Sequence, residues 1–221
     1  MSRSRLSPTI ITGDDSQYPS GFTRLGSTDR PDQLTAIGDL KILEHRPRVA
    51  FLSSQSCPGP LIVKSYDAAM SLRNAGVCVV SGFHSAIEYD ALPILLRGDQ
   101  PVILFHDQRV SLRTRLVSLN RAHIESGRYL VLTAFQHRSR TDRAQSSKRN
   151  MYVAAMADAL FVVHAAENSA TYSVVSQALD WGTPVYALDD PSNERLFAVG
   201  VESLKASNAG RAIARITGRE R

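Results

Sequence analysis

Six short apolar runs, rich in β-branched residues, alternate with segments of helical periodicity along much of the 221-residue chain. Runs without polar residues at alternate positions are typical of strands that are buried on both faces. They predict a parallel sheet that is covered by helices. The predicted strands are residues 48–52, 77–80, 101–105, 129–133, 159–163 and 184–187.

Helical spacing occurs between these runs. In residues 62–75 the apolar positions recur one helical face apart, and residues 173–181 are also predicted to be helical. The connection at residues 107–127 is predicted to hold one helix, which carries Leu112, Leu116 and Leu119. A polar stretch at residues 136–147 interrupts the alternation.

The predicted fold is therefore α/β and Rossmann-like: a doubly wound, mostly parallel sheet with helices on both faces. We expect an N-terminal extension at residues 1–45 that packs on the core, a Rossmann-type domain at residues 46–204, and a basic C-terminal helix or tail at residues 205–221. A chain of this length can bury one substantial core.

A net charge of +5 and a sequence pI near 9.5 favour an anionic partner. The cations are clustered, because one polar segment contains five of them opposed only by Asp142, and three arginines recur at helical spacing near the C-terminus. The first group is Arg138, Arg140, Arg143, Lys148 and Arg149, and the second is Arg211, Arg215 and Arg219.

Several classes of protein are not favoured by the composition. No stretch is apolar for long enough to span a bilayer, and the basic start, Met1 to Arg5, lacks the apolar core of a secretion signal. We therefore expect a cytoplasmic protein without membrane contact. Two cysteines, Cys57 and Cys78, are too few for a disulfide framework or a structural zinc site, and we expect no metal and no cofactor.

Three strand-to-helix turns are rich in hydroxyl groups. Ser53, Ser54 and Gln55 follow the first predicted strand, Ser81, Gly82 and Phe83 follow the second, and Ser169, Ala170 and Thr171 follow the fifth. The carboxyl ends of parallel strands meet at one edge, where helix N-termini attract anions. Together with Arg143, Lys148, Arg149 and Asn150, these residues are predicted to form a phosphate-binding or nucleic-acid-binding site.

Several short motifs follow one another in a characteristic order along the chain. They are Tyr18-Pro19, residues 30–40 (RPDQLTAIGDL), residues 49–55 (VAFLSSQ), residues 79–83 (VVSGF), Ile87-Glu88, Arg149-Asn150, Ser169-Ala170-Thr171, and finally Asn193, Leu196, Phe197 and Gly200. In their combination and order they resemble the Rossmann-like core of the DNA-processing protein A (DprA) family. The resemblance implies a protein that binds single-stranded DNA through a basic groove, in DNA uptake, recombination or repair. It also implies a homodimer that helps to load a recombinase.

Two departures from the family pattern remove an arginine, and a third removes an apolar pair. Gln55 stands where the family has a phosphate-binding arginine, and Met151 replaces the second arginine of an Arg-Asn-Arg motif. The Phe-Pro pair that precedes that motif is Ser146-Ser147 here. The ligand or its affinity is therefore expected to differ from that of the family. Phe83, Phe135 and Tyr152 are the candidates for stacking on bases, with burial in the core as the alternative for each.

Two other functions stay open. A nucleotide-binding sensor could use the same strand ends, and the loss of the arginine at Gln55 favours that alternative. A phosphoribohydrolase-like enzyme is less favoured, because no carboxylate follows Thr171 at the expected spacing and no nucleophile and base pair is recognisable. His84, Glu88 and Asp90 would have to supply its acid and base.

Overall fold

The computed structural model describes residues 6–136 and 143–216. Within them lie nine strands, eight α-helices and four 3-10 helices. The strands are β1 (Thr9–Thr12), β2 (Gln33–Ile37), β3 (Arg48–Leu52), β4 (Cys78–Ser81), β5 (Val102–His106), β6 (Tyr129–Thr133), β7 (Ala159–Val162), β8 (Val185–Leu188) and β9 (Glu202–Leu204). The α-helices are α1 (Gly59–Asn74), α2 (Ala86–Leu96), α3 (Arg115–Leu119), α4 (Arg121–Glu125), α5 (Arg143–Met156), α6 (Ala170–Asp180), α7 (Glu194–Ala198) and α8 (Ala209–Ile216). The 3-10 helices are Ser20–Arg24, Leu40–Glu44, Pro191–Asn193 and Ala206–Asn208.

All nine strands belong to one sheet, in the order β1-β2-β6-β5-β4-β3-β7-β8-β9. The seven strands from β6 to β9 in this order pair in parallel, whereas β2 pairs antiparallel with both β1 and β6. From β3 the chain first proceeds to β4, β5 and β6 on one side, and later returns to β7 on the other side. The order of the strands therefore reverses between β3 and β7.

Two apolar cores cover the two faces of this sheet. On β3, Ala50 and Leu52 belong to the core beneath α5 and α6, whereas Val49 and Phe51 belong to the core beneath α1 and α2. Successive side chains of a strand point to opposite faces, so a strand that is buried on both faces must be apolar throughout. This requirement explains the continuous apolar runs in the sequence.

The predicted α/β fold is confirmed, and β3 and β6 have the predicted bounds. The strands β4, β3 and β7 are adjacent at the centre of the sheet, as predicted. One prediction was wrong: the 107–127 connection holds two short helices, α3 and α4, instead of one. Leu112 precedes both helices, and Leu112 and Leu119 are 47% and 64% exposed.

The ends of the chain contribute to the same domain. β1 and β2 lie in the predicted N-terminal extension and lengthen the sheet beyond β6. α8 packs on the core through Ala209 and Ile213, and it exposes Arg211 and Arg215. Arg219 lies outside the described residues, as do Arg138 and Arg140. Within the described ranges, every helix is too short or too polar to cross a membrane.

Candidate nucleotide or nucleic-acid site

A cavity of about 820 Å³ opens at the carboxyl ends of β3 and β7, where the strand order reverses. We call it the mouth. In open α/β sheets the crevice at this point is where ligands bind, because the loops on its two sides diverge to opposite faces. Its described lining residues are Ser53, Ser54, Gln55, Ser56, His84, Ser85, Glu88, Arg143, Ser146, Arg149, Asn150, Ala166, Glu167, Asn168, Ser169, Ala170 and Thr171.

The turns after β3 and β7 are joined directly across the mouth. The Ser54 hydroxyl donates to Ser169 Oγ at 3.0 Å and accepts from the backbone N–H of Ala166, also at 3.0 Å. The Ser54 N–H donates to the carbonyl of His164 at 2.9 Å. Ser169 also caps α6, since its Oγ accepts from the N–H of Tyr172 at 3.1 Å. The hydroxyl groups therefore hold the N-terminus of α6 against the end of β3.

A buried carboxylate joins the turns after β3 and β4. Glu88, which is 2% exposed, accepts from the N–H of Ser53 at 2.9 Å through one oxygen and from the N–H of His84 at 3.0 Å through the other. Its own N–H donates to the hydroxyl of Ser85, which caps α2. Both carboxylate oxygens of Glu88 thus hold backbone groups that a buried turn must satisfy.

Arg149 is a buried structural cation. It is 3% exposed, and its Nη1 lies 3.2 Å from Asp107 Oδ2, while Nε and Nη2 donate to Asn150 Oδ1 at 3.0 and 2.9 Å. The guanidinium packs so close to Gly82 that a Cβ there would lie 2.5 Å from Nε. Arg149 lines the mouth, but its charge is already paired with Asp107, so its predicted contact with a phosphate stays a prediction.

His106 lies beside this ion pair at the end of β5. Its Nδ1 accepts from the N–H of Gln108 at 3.0 Å and lies 3.7 Å from Asp107 Oδ1. Burial lowers the pKa of His106, and the neighbouring Asp107 only partly opposes that shift. The imidazole is therefore neutral near pH 7, and Arg149 remains the cation that faces Asp107.

Phe83 turns away from the mouth into the core. Its backbone is left-handed, with φ of 46°, and its side chain is 2% exposed. Ser81 is fully buried, and its hydroxyl accepts from the N–H of Phe83 at 3.1 Å. The burial of Phe83 agrees with the alternative that it is a core residue, and its contact with a nucleic acid stays a prediction. Tyr152 is also buried, in a cluster with Phe22, Phe105 and Phe135.

Nine of the thirteen predicted site residues line the mouth, and four do not. Ser81 and Phe83 are in the core, Gly82 lies beneath Arg149, and the exposed Lys148 lies on a neighbouring cavity. The sequence interpretation missed Asp107, although it directly follows β5 at the same edge as the other turns. It also missed Asn168, whose left-handed backbone (φ of 59°) shapes the last turn of the mouth.

At the rim, Arg143 is exposed in the first turn of α5 and donates to the carbonyl of Asn168 at 3.0 Å. Glu167 and Arg195 form an ion pair beside it. Gln55 is exposed on the opposite wall. The described lining residues include two cations, Arg143 and Arg149, and two carboxylates, Glu88 and Glu167, so the mouth itself is nearly balanced in charge.

The fold and the position of the mouth define a Rossmann-like α/β protein whose ligand site lies at the carboxyl ends of its parallel strands. A sequence profile described as DNA recombination-mediator protein A matches residues 9–215. The chain therefore belongs to that family, and a DNA-processing role follows from the membership.

Solved structures give the same fold. DNA processing protein A from Streptococcus pneumoniae is 19% identical, with a TM-score of 0.78, and the match covers 95% of this chain and 75% of that one. The protein of that name from Helicobacter pylori, described for its single-stranded DNA binding mode, is 17% identical, with a TM-score of 0.78 and coverage of 97% and 99%. A molybdenum cofactor binding protein from Rippkaea orientalis is 16% identical, with a TM-score of 0.55 and coverage of 78% and 98%. No curated protein matches the chain significantly.

Proposed function

We propose that the protein binds single-stranded DNA at the mouth and acts in DNA uptake, recombination or repair. The observation that carries this proposal is the hydroxyl-lined mouth at the point where the strand order reverses between β3 and β7. There the hydrogen bond between Ser54 and Ser169 holds the N-terminus of α6 at the wall of the mouth. Helix N-termini present N–H groups and a partial positive charge, both of which favour phosphate oxygens.

The walls of the mouth offer both neutral hydrogen-bond donors and a positive charge. Hydroxyl and amide groups of Ser56, Gln55 and Thr171 supply donors that do not depend on base identity. Arg143 supplies a charge at the rim, where a phosphate can form a charge-assisted hydrogen bond. Binding of this kind is independent of base sequence and sensitive to salt.

Family membership and the H. pylori relative, described as binding single-stranded DNA, support this proposal. The same membership leads us to propose a homodimer and a recombinase partner. We further propose a binding protein and not an enzyme. Glu88, the buried carboxylate of the mouth, uses both of its oxygens to hold backbone N–H groups, so neither oxygen is directed to a substrate.

A nucleotide ligand is the second candidate. The observation that favours it is the near balance of charge in the described part of the mouth, since Arg149 is paired with Asp107 and Gln55 is neutral. A volume of about 820 Å³ is within the range of small-molecule sites. A mononucleotide needs one phosphate contact, whereas a long strand needs several.

Fluorescence anisotropy of a labelled dT20 strand, titrated at several salt concentrations, tests the proposal. We expect log affinity to fall with log salt, by a slope of about 0.7 for each phosphate contact. Thymidine monophosphate should compete weakly, and a dA-containing strand should bind similarly. A salt-independent affinity, with full displacement by a mononucleotide, would instead support the second candidate.

A further inference from the structure

A second cavity, of about 520 Å³, lies on the α5–α6 side of the sheet and is separate from the mouth. Its walls combine an aromatic ring with cations, since it is lined by Arg24, Lys148, Met151, Gln177 and Trp181. Lys148 is exposed, and Trp181 is half-buried at the C-terminal end of α6. Met151 and Trp181 also pack against the apolar core on this face of the sheet.

A shallow groove connects this cavity with the mouth. Along α6, Ala170, Ser173, Gln177 and Trp181 form one helical stripe that begins in the mouth and ends in the second cavity. Along α5, Ala144, Ser147, Lys148 and Met151 form the facing stripe. Between the two ends lies a smaller cavity of about 390 Å³, which shares Arg143 and Ala170 with the mouth, and Ala144 and Ser147 with the second cavity. We call this path the α5–α6 groove.

The groove has the chemistry of a single-strand track. A half-buried indole ring offers a face on which any base can stack, and cations beside it can hold the adjacent phosphates. Arg24 is fixed there, because its Nη1 donates to the carbonyl of Ala157 at 3.0 Å and to the Thr183 hydroxyl at 3.3 Å. Asp29, also on the wall, offers a carboxylate that can accept from a base amino group.

The length of the groove fits a short run of nucleotides. From residue 170 to residue 181, a helix advances about 16 Å at roughly 1.5 Å per residue. A stacked strand advances about 3.4 Å per nucleotide, so the two cavities are up to about five nucleotides apart.

We propose that the α5–α6 groove carries a single strand from the mouth to a second subsite, where a base stacks on Trp181 and the neighbouring phosphates contact Lys148 and Arg24. This inference rests on the proposed function of the mouth. It adds that strands long enough to reach Trp181 bind more tightly than strands that fill the mouth alone.

Trp181 is the single tryptophan of the chain, so the intrinsic fluorescence of the wild-type protein reports on this subsite. We would titrate the protein with dT4 and with dT12, and follow tryptophan emission together with the anisotropy of labelled strands. We expect dT12 to quench the emission at saturation, and dT4 to bind with little quenching. Trp181→Leu should weaken dT12 binding by roughly 5- to 100-fold, the effect of losing one stacked base, and leave dT4 binding unchanged.

Two further variants separate stacking from folding. Trp181→Phe should keep most of the affinity for dT12, and Ser173→Glu, an exposed change in the groove, should weaken dT12 binding and quenching without removing the ring. Tyr89→Leu is the matched control, because it removes an aromatic side chain that is 47% exposed on α2, against the other core. Urea unfolding midpoints would verify that each variant is folded.

The outcomes distinguish this inference from the proposed function. If dT4 and dT12 bind equally well, without a change in emission and with Trp181→Leu like wild type, the second subsite is overturned while the mouth keeps its function. If no strand binds at all, the proposed function fails and the subsite fails with it.

Discussion

The hydroxyl oxygens of Ser54 and Ser169 lie 3.0 Å apart, although 115 residues separate them in the chain. Ser54 is the second residue after β3, and Ser169 caps α6, so their bond crosses the crevice at which the strand order reverses. The same Ser54 oxygen accepts from the N–H of Ala166. One side chain thereby fixes the distance between two walls of the mouth before any ligand arrives, which reduces the ordering cost of binding.

Ser54→Ala should destabilise the protein and loosen the mouth. The change removes the acceptor of the half-buried Ala166 N–H and the donor to Ser169, and a hydrogen bond of this kind contributes about 0.5–1.5 kcal/mol. The shift of the urea unfolding midpoint measures this loss. Ser56→Ala, an exposed change in the same loop, is the control and should leave the midpoint within about 0.5 kcal/mol of wild type. Equal midpoints for the two variants would show that the bond does not stabilise the fold.

Arg149→Met should act on stability, whereas Arg143→Ala should act on binding. Removing Arg149 leaves Asp107 buried without its cation, and breaking a buried pair costs about 3–5 kcal/mol. Arg143 is exposed, so its loss should change the unfolding midpoint little and lower the salt slope of oligonucleotide binding by about 0.7. Urea titrations and anisotropy at several salt concentrations measure the two effects. An Arg149→Met variant of wild-type stability with a reduced salt slope would instead identify Arg149 as a phosphate contact.

The contrast between these two arginines shows where the sequence was informative and where it was not. Both stand in one basic segment, and nothing local distinguishes them. The partner of Arg149 is Asp107, 42 residues away, and only the parallel packing of β5 beside β4 and β6 brings it there. Burial of Phe83 likewise depends on a left-handed backbone, which a phenylalanine rarely adopts and its residue type does not predict.

The fold was more predictable at its centre than at its edges. β3 and β6 are buried on both faces, so their apolar runs alone define their bounds. β1 and β9 are short edge strands of four and three residues with exposed positions, and no continuous apolar run indicates them. The hydroxyl-rich turns were predictable because parallel strands place their ends together, whatever the packing behind them.

The ion pair between Lys64 and Asp190 should make stability depend on pH in acid. Lys64 Nζ lies 2.7 Å from Asp190 Oδ2, and this hydrogen bond, with a second from the N–H of Ser192, lowers the pKa of Asp190 to about 2. A carboxyl whose pKa is lower when folded stabilises the protein above its ordinary pKa, and loses that contribution as the pH falls through the lowered value. The stabilising effect should therefore be complete above about pH 5 and vanish towards pH 2.

Asp190→Asn is the variant that measures this effect. We expect the difference in unfolding free energy between wild type and variant to be constant from pH 7 to about pH 5 and to shrink between about pH 4 and pH 2. Asp180→Asn, an exposed carboxyl on α6, provides the control. Asp190 also caps the turn that carries Asn193, and asparagine can keep this cap because its side-chain oxygen also accepts a hydrogen bond. A difference that stays constant down to pH 2 would contradict the assignment.

Gln55→Arg should tighten binding of single strands at the mouth. Gln55 is exposed on the wall opposite Arg143, at the position where the resemblance to the family implies a phosphate-binding arginine. A hydrogen bond to a charged group contributes about 1.5–3 kcal/mol, so the dissociation constant for dT20 should fall by roughly tenfold to a hundredfold at low salt. The salt slope should steepen by about 0.7, because one more phosphate is neutralised.

Two control variants test this explanation. Gln55→Lys adds the same charge without the planar guanidinium, and should give the steeper slope with a smaller gain in affinity. Gln177→Arg, in the second cavity, places the same side chain away from the mouth and should leave dT4 binding unchanged. If Gln55→Arg binds strands no better than wild type and loses affinity for a mononucleotide, the uncharged wall at Gln55 is an adaptation to the smaller ligand, and the nucleotide candidate replaces DNA at the mouth.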